Sequence, residues 1–260
     1  MMRRYFDLFP EKTARTLLIL ALLCCARPAA SDEVQVAVAA NFTGPMQKLV
    51  TLFERKTGHK ALLSFGSVGK FYAQIISAAP FEILISADEE TPLRLEKEHL
   101  TLPGSRFTYA VGKLVLWSPH ADLIDPQGKV LERGDFAHLA VSHPKLTVYG
   151  AAARDVLQRL GVFEKLAPRL IQGETITQAY QFVVTGNAEL GFVALSQVWQ
   201  NGAIREGSAW IVPDSLVAPL RQDAVILEKG SNNPAALALM TYLRSDEAGE
   251  IIRSFGYAIP

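Results

Sequence analysis

Apolar residues follow two alternating rhythms along this chain. Residues 34–40, Val-Gln-Val-Ala-Val-Ala-Ala, form a β-rich apolar run. The segment after it places Met46, Leu49, Val50 and Phe53 at i, i+3, i+4 and i+7, one face of an amphipathic helix that Gly58 should stop. The rhythm repeats, with 60–65 reading as a strand, 71–78 as a helix, 82–87 as a strand and 92–99 as a helix. Strands alternating with helices predict a parallel α/β sheet.

The stretch 107–117, Phe-Thr-Tyr-Ala-Val-Gly-Lys-Leu-Val-Leu-Trp, is long enough to pass from one lobe to another, with Gly112 as a pivot or a bulge. A second alternating set follows: strand 139–142, helix 151–160, strand 169–172, helix 176–184 and strand 190–194. Residues 223–227 then read as a strand, and 233–243 and 247–255 as helices. Because the pattern restarts, two α/β lobes are expected, 31–112 with 223–260 and 113–222. The two chain crossings between them would form a hinge. There is no low-complexity linker and no short-period repeat.

The N-terminus changes what counts as the folded chain. Arg3, Arg4, Lys12 and Arg15 precede the apolar run at 17–25, and small residues follow at Ala26, Ala29, Ala30 and Ser31. This is the order of a secretory signal peptide. The apolar run is about half the ~20 residues that span a bilayer. Residues 1–30 are therefore expected to be cleaved and the mature chain to begin near Ser31. Cleavage removes five basic and two acidic side chains from a chain of net charge zero, leaving −3. Both cysteines, Cys24 and Cys25, lie in the leader, so the mature domain has no thiol for a disulfide, a metal thiolate or a nucleophile. Charges are interspersed, so nothing recruits nucleic acid or a membrane surface by bulk attraction.

Candidate chemistry lies where strands run into helices, because the first turn of a helix leaves N–H groups unpaired and carries partial positive charge. Such turns bind anions without a charged side chain. Four stand out: Ala39-Ala40-Asn41-Phe42-Thr43, Phe65-Gly66-Ser67-Val68-Gly69-Lys70, Val148-Tyr149-Gly150-Ala151 and Gly173-Glu174-Thr175-Ile176. Asn41 occupies the place of an N-cap residue. Gly66 and Gly69 allow close approach of the backbone to a ligand.

Other chemistries lack their residues. A phosphate loop needs a glycine where Ser64 stands and a hydroxyl where Phe71 stands. His59, His99, His120, His138 and His143 form no zinc spacing and are expected in loops or at the surface. Ser67 lacks the context of a hydrolase nucleophile. Glu89 and Glu90, directly after Asp88, read as a solvated helix start.

Taken in order and spacing, A-A-N-F-T, S-F-G-S-V-G-K, A-P-F-E-I-L-I-S-A-D, Y-G-A-A-A and L-G-F-V-A-L-S-Q resemble the periplasmic molybdate-binding proteins of ABC importers, from about Val34 to Pro260. The resemblance implies a two-lobed, type II-like periplasmic binding fold that holds a dehydrated molybdate or tungstate in its interlobe cleft by neutral donors. It implies a non-catalytic, periplasmic protein, a monomer without a cofactor, partnered by an ABC permease. Carried over residue by residue, Asn41 donates from side chain and backbone, and Val68, Tyr149 and Ile176 from backbone N–H. The metal is met only through the oxygens of the anion. Ala194 falls where some members have a tyrosine hydroxyl, and Gly66, Ser67 and Gly69 support the site.

Two departures from the family matter: many relatives have serine at Val68 and proline at Val148. Each hydrogen bond lost to an anion is worth about 1.5 to 3 kcal/mol. A wide pocket of donors alone would select molybdate over sulfate by size, and over protonated phosphate for want of an acceptor. The competing readings are a binder of another tetrahedral oxyanion, a sensor domain of the same fold, and a secreted α/β enzyme acting on phosphate or sulfate esters.

Overall fold

The computed structural model describes residues 32–260, so the leader expected at 1–30 lies outside the described residues. Strand β1 (Glu33–Ala39) leads through a 3-10 turn, Ala40–Phe42, into helix α1 (Thr43–Thr57). The helix ends where Gly58 takes a φ of 76°. Met46, Leu49, Val50 and Phe53 are all buried, as their spacing predicts. Next come β2 (Lys60–Gly66), α2 (Val68–Ile76), β3 (Ile83–Ile85), α3 (Glu90–Lys97) and β4 (Phe107–Gly112).

The chain continues through β5 (Leu114–Ser118), α4 (Val130–Arg133), β6 (Leu139–Ser142), α5 (Val148–Arg159), α6 (Phe163–Leu166), β7 (Leu170–Gly173), α7 (Ile176–Val184) and β8 (Leu190–Ala194). It is completed by α8 (Leu195–Val198), the hairpin of β9 (Trp199–Gln200) and β10 (Ala203–Ile204), β11 (Ser208–Ile211), β12 (Leu220–Ile226), α9 (Pro234–Leu243) and α10 (Asp246–Ser254). The short elements α4, α6 and α8 and the two-residue strands β9 and β10 are too brief to leave a periodic signal.

Two five-stranded sheets carry the fold, in the orders β2-β1-β3-β12-β4 and β11-β5-β8-β6-β7. They are mixed, which corrects the expectation of parallel sheets. Strands β2, β1 and β3 are mutually parallel, and so are β7, β6 and β8. By contrast, β12 runs antiparallel to β3 and β4, and β5 antiparallel to β8 and β11. The reason is directional. Strands β1 and β8 end at the face where the sheets approach each other, whereas β5 and β12 arrive from the other sheet and start there.

The apolar stretch 107–117 is therefore two strands in two sheets, with Lys113 between them. Gly112 at the changeover is required by close approach, since an added Cβ would lie 2.3 Å from the Tyr149 hydroxyl and 2.5 Å from Gln222 Nε2. The register instead shifts where the consecutive residues Gln222 and Asp223 of β12 pair with Ala110 and Thr108, so the bulged residue is Tyr109 on β4.

Each sheet has its own core. Val36, Val38, Phe42, Ile83, Ile85 and Leu239 pack together on the first, and Leu114, Leu116, Val156, Leu190 and Phe192 on the second. The second cluster also takes in Ala39, Ala40, Val68 and Ala87 from the first lobe, so apolar contact is continuous where the lobes meet.

Candidate functional site

The four strand-to-helix turns singled out in the sequence converge on one small cavity. Its walls are Ala39, Ala40 and Asn41 from the first turn; Gly66, Ser67 and Val68 from the second; Tyr149 from the third, with Thr147 just before that turn; and Thr175 and Ile176 from the fourth; Ala87 completes them. The cavity is tight, about 10 Å³, room for about one water-sized group. No lining residue carries a formal charge. A wider open groove of about 540 Å³ adjoins it through Val68 and Thr147, with charges of both signs on its walls, among them Asp88, Lys145, Arg159 and Arg221. The helix starts meet in the small cavity.

Helix capping decides which N–H groups remain available. Thr147 Oγ1 accepts from the N–H of Gly150 at 2.9 Å, and Thr175 Oγ1 accepts from that of Gln178 at 3.1 Å. These caps leave the first N–H groups of α5 and α7, at Val148, Tyr149 and Ile176, outside the helical ladder. Helix α2 begins at Val68 and α5 at Val148, each three residues ahead of the expected start. Val68, Tyr149 and Ile176 thus all stand in first turns at the cavity wall. Thr175 stands in the fourth turn read from the sequence, but its capping role was not recognised and Thr147 was missed, although threonine immediately before a helix is a capping signal.

Asn41 behaves differently from the expected N-cap. It lies in the middle of the 3-10 turn, and Phe42, which precedes α1, makes no side-chain cap. Its amide nitrogen donates to Gln222 Oε1 at 2.9 Å and to the Tyr257 hydroxyl at 3.0 Å. Both amide hydrogens are thereby engaged, which corrects the expectation of side-chain donation and leaves the backbone N–H as the Asn41 donor at the cavity. Gln222 Nε2 donates to the Tyr149 hydroxyl at 3.0 Å, and the Tyr109 hydroxyl donates to Gln222 Oε1 at 3.0 Å. Burial pushes the phenols of Tyr109 and Tyr149 well above the ordinary value and that of Tyr257 up to about 12, so all three are neutral at physiological pH.

Several bonds close the lobes over the cavity. Thr177 Oγ1 donates to the Ala40 carbonyl at 3.1 Å, Ser196 Oγ to the Asn41 carbonyl at 2.9 Å, and the Gly69 N–H to the Leu146 carbonyl at 3.2 Å. Lys70 pairs with Glu174 across the rim. Gly69 therefore serves the interlobe contact and is absent from the cavity wall, whereas Gly66 is part of it. Ala194 is not brought to the wall either: it ends β8, is fully buried, and gives its N–H to Gln197 Oε1 at 2.9 Å. Glu89 and Glu90 are exposed at the start of α3, as expected, while Asp88 accepts the Thr91 N–H at 2.8 Å and is pushed up by burial.

Two α/β lobes closed over a small cavity walled by neutral donors are the architecture of a protein that captures a solute. The chain belongs to the bacterial extracellular solute-binding proteins, whose family model matches residues 34–258. It is 56% identical over 238 residues to the molybdate-binding protein ModA of Azotobacter vinelandii, covering 92% of this chain and 94% of the relative. It is 48% identical over 250 residues to ModA of Rhodobacter capsulatus, covering 96% and 98%. Its structure is similar to that of the periplasmic molybdate-binding protein of Azotobacter vinelandii, with a TM-score of 0.84 at 40% identity over 87% of this chain and 99% of that one.

Proposed function

We propose that this chain captures molybdate, or tungstate of nearly the same size, in the periplasm and presents it to the permease of an ABC importer. The observation that carries this reading is the convergence of four turns at helix starts on one cavity without a charged side chain. A dehydrated dianion there meets backbone N–H groups of Asn41, Val68, Tyr149 and Ile176, and the aligned dipoles of α2, α5 and α7. Fixed neutral donors hold it without a permanent counter-ion and select by size. The high identity to two molybdate-binding proteins supports the choice of anion.

The division into lobes 31–112 with 223–260 and 113–222 belongs to the same reading, supported by the membership of the two sheets, with Leu220 to Gln222 of β12 already paired to β4. So do cleavage of the leader near Ser31, action as a monomer, independence of any cofactor, and binding in place of catalysis. The relatives named above are binding proteins, and the cavity wall holds no carboxylate, imidazole or thiol.

Isothermal titration of the exported chain with molybdate, tungstate, sulfate, phosphate and chromate tests the proposal. One-to-one binding of molybdate and tungstate, with the other anions far weaker, is expected. Displacement of molybdate by sulfate at equal concentration would overturn the selection by size, and silence toward molybdate and tungstate would overturn the assignment.

A further inference from the structure

Among the polar side chains of the cavity wall, Ser67 stands apart. Its hydroxyl is buried, with the residue 2% exposed, and has no hydrogen-bond partner. The other polar side chains of the wall are engaged: Asn41 with Gln222 and Tyr257, Tyr149 with Gln222, and the two threonines with the helix starts they cap. A buried hydroxyl left unpaired is costly, so native structures rarely keep one without a use.

Serine before a helix ordinarily satisfies itself by accepting an N–H from the second or third residue of that helix. Ser67 is in the N-cap position of α2 and does not do so. The Gly69 N–H, one of the two it would accept, is drawn across the cleft to the Leu146 carbonyl. Closure of the lobes thus takes away a capping partner and leaves the hydroxyl free at the cavity wall. A rotatable O–H is suited to this place, because it can turn its hydrogen toward an anion oxygen whose position the fixed backbone donors do not reach.

We propose that the Ser67 hydroxyl is a direct hydrogen-bond donor to the captured tetrahedral oxyanion, a specificity-determining contact made by the side chain in addition to the backbone donors. The inference rests on the oxyanion reading of the cavity given above. The neighbouring Val68 contributes only its N–H, so Ser67 supplies the hydroxyl of this turn.

The test is titration of wild type, Ser67→Ala and Ser67→Cys with molybdate, alongside the melting temperature of each chain without ligand. A bond to a charged group implies that Ser67→Ala weakens binding by about ten- to hundredfold. The weaker thiol donor should place Ser67→Cys between the two. Because the hydroxyl has no partner in the protein, the melting temperature of ligand-free Ser67→Ala should match or exceed that of wild type. Equal affinity of wild type and Ser67→Ala would overturn the inference while leaving the function standing. So would a lowered ligand-free melting temperature with affinity retained, which marks a capping role. Failure of the wild type itself to bind any tetrahedral oxyanion would overturn both.

Discussion

Gln222 donates its amide N–H to the phenol oxygen of Tyr149 at 3.0 Å, joining the strand that re-enters the first sheet to the helix that starts at the cavity. The oxygen of the same amide accepts from Asn41 Nδ2 and from the Tyr109 hydroxyl. One fully buried side chain thus ties both lobes to the turn that presents Asn41. Gln222→Leu removes all three bonds at once and leaves the Asn41 amide short of an acceptor. We expect a loss of about 2 kcal/mol or more in stability, since each orphaned buried group costs roughly 1–3 kcal/mol. Anion affinity should weaken as well. Urea unfolding and titration of the variant check this, and an unchanged midpoint would contradict it.

The ion pair of Lys70 with Glu174 spans the lobes at the rim, with half-exposed side chains. Its hydrogen bond and charge hold the Glu174 carboxyl below the ordinary carboxylate value. A depressed pKa in the closed form means that the pair favours closure above the ordinary carboxylate range and loses that effect as pH falls through the depressed value. Lys70→Met should therefore weaken anion binding by less than about fivefold near neutral pH, as exposed pairs do. The difference should shrink with added salt. Titrations of both chains at low and high ionic strength, and at neutral and acidic pH, provide the measurement.

The buried phenols give a prediction at the alkaline end. Burial raises Tyr257 from 10.0 to about 12 and drives Tyr109 and Tyr149 in the same direction. Raised folded values contribute stability that is complete below the unfolded value near 10.0 and is lost as pH rises through the folded ones. Unfolding free energy should therefore show no tyrosine-linked change from neutral pH to about 9 and fall steeply above about 10. Absorbance titration of phenolate should find these three tyrosines ionising late, together with unfolding. Early, reversible ionisation of all tyrosines would contradict the buried network.

Local chemistry made much of this protein legible. Strand 139–142, helix 176–184 and strand 190–194 were readable to the residue, because an apolar run between turn-forming residues needs no distant partner to define its ends. The four turns at the cavity were readable for the same reason: asparagine and glycine where a strand runs into a helix announce themselves within a few positions. The resemblance to the family added which backbone groups are expected to face a guest.

What lay beyond reach depended on partners far along the chain. Gln222 and Tyr257 stand 181 and 216 residues from Asn41, so nothing near position 41 could reveal that its amide is turned toward them. The split of 107–117 between two sheets, the antiparallel entry of β5 and β12, and the free hydroxyl of Ser67 are of the same kind. The sequence by itself determined which turns lead from a strand into a helix, and hence the regions where N–H groups are left unpaired, though the exact starts of α2 and α5 were read three residues late. Only the tertiary structure decided which of those groups meet around one cavity and which side chains are already bonded to another part of the fold, because hydrogen bonds between distant segments form only when packing brings those segments together.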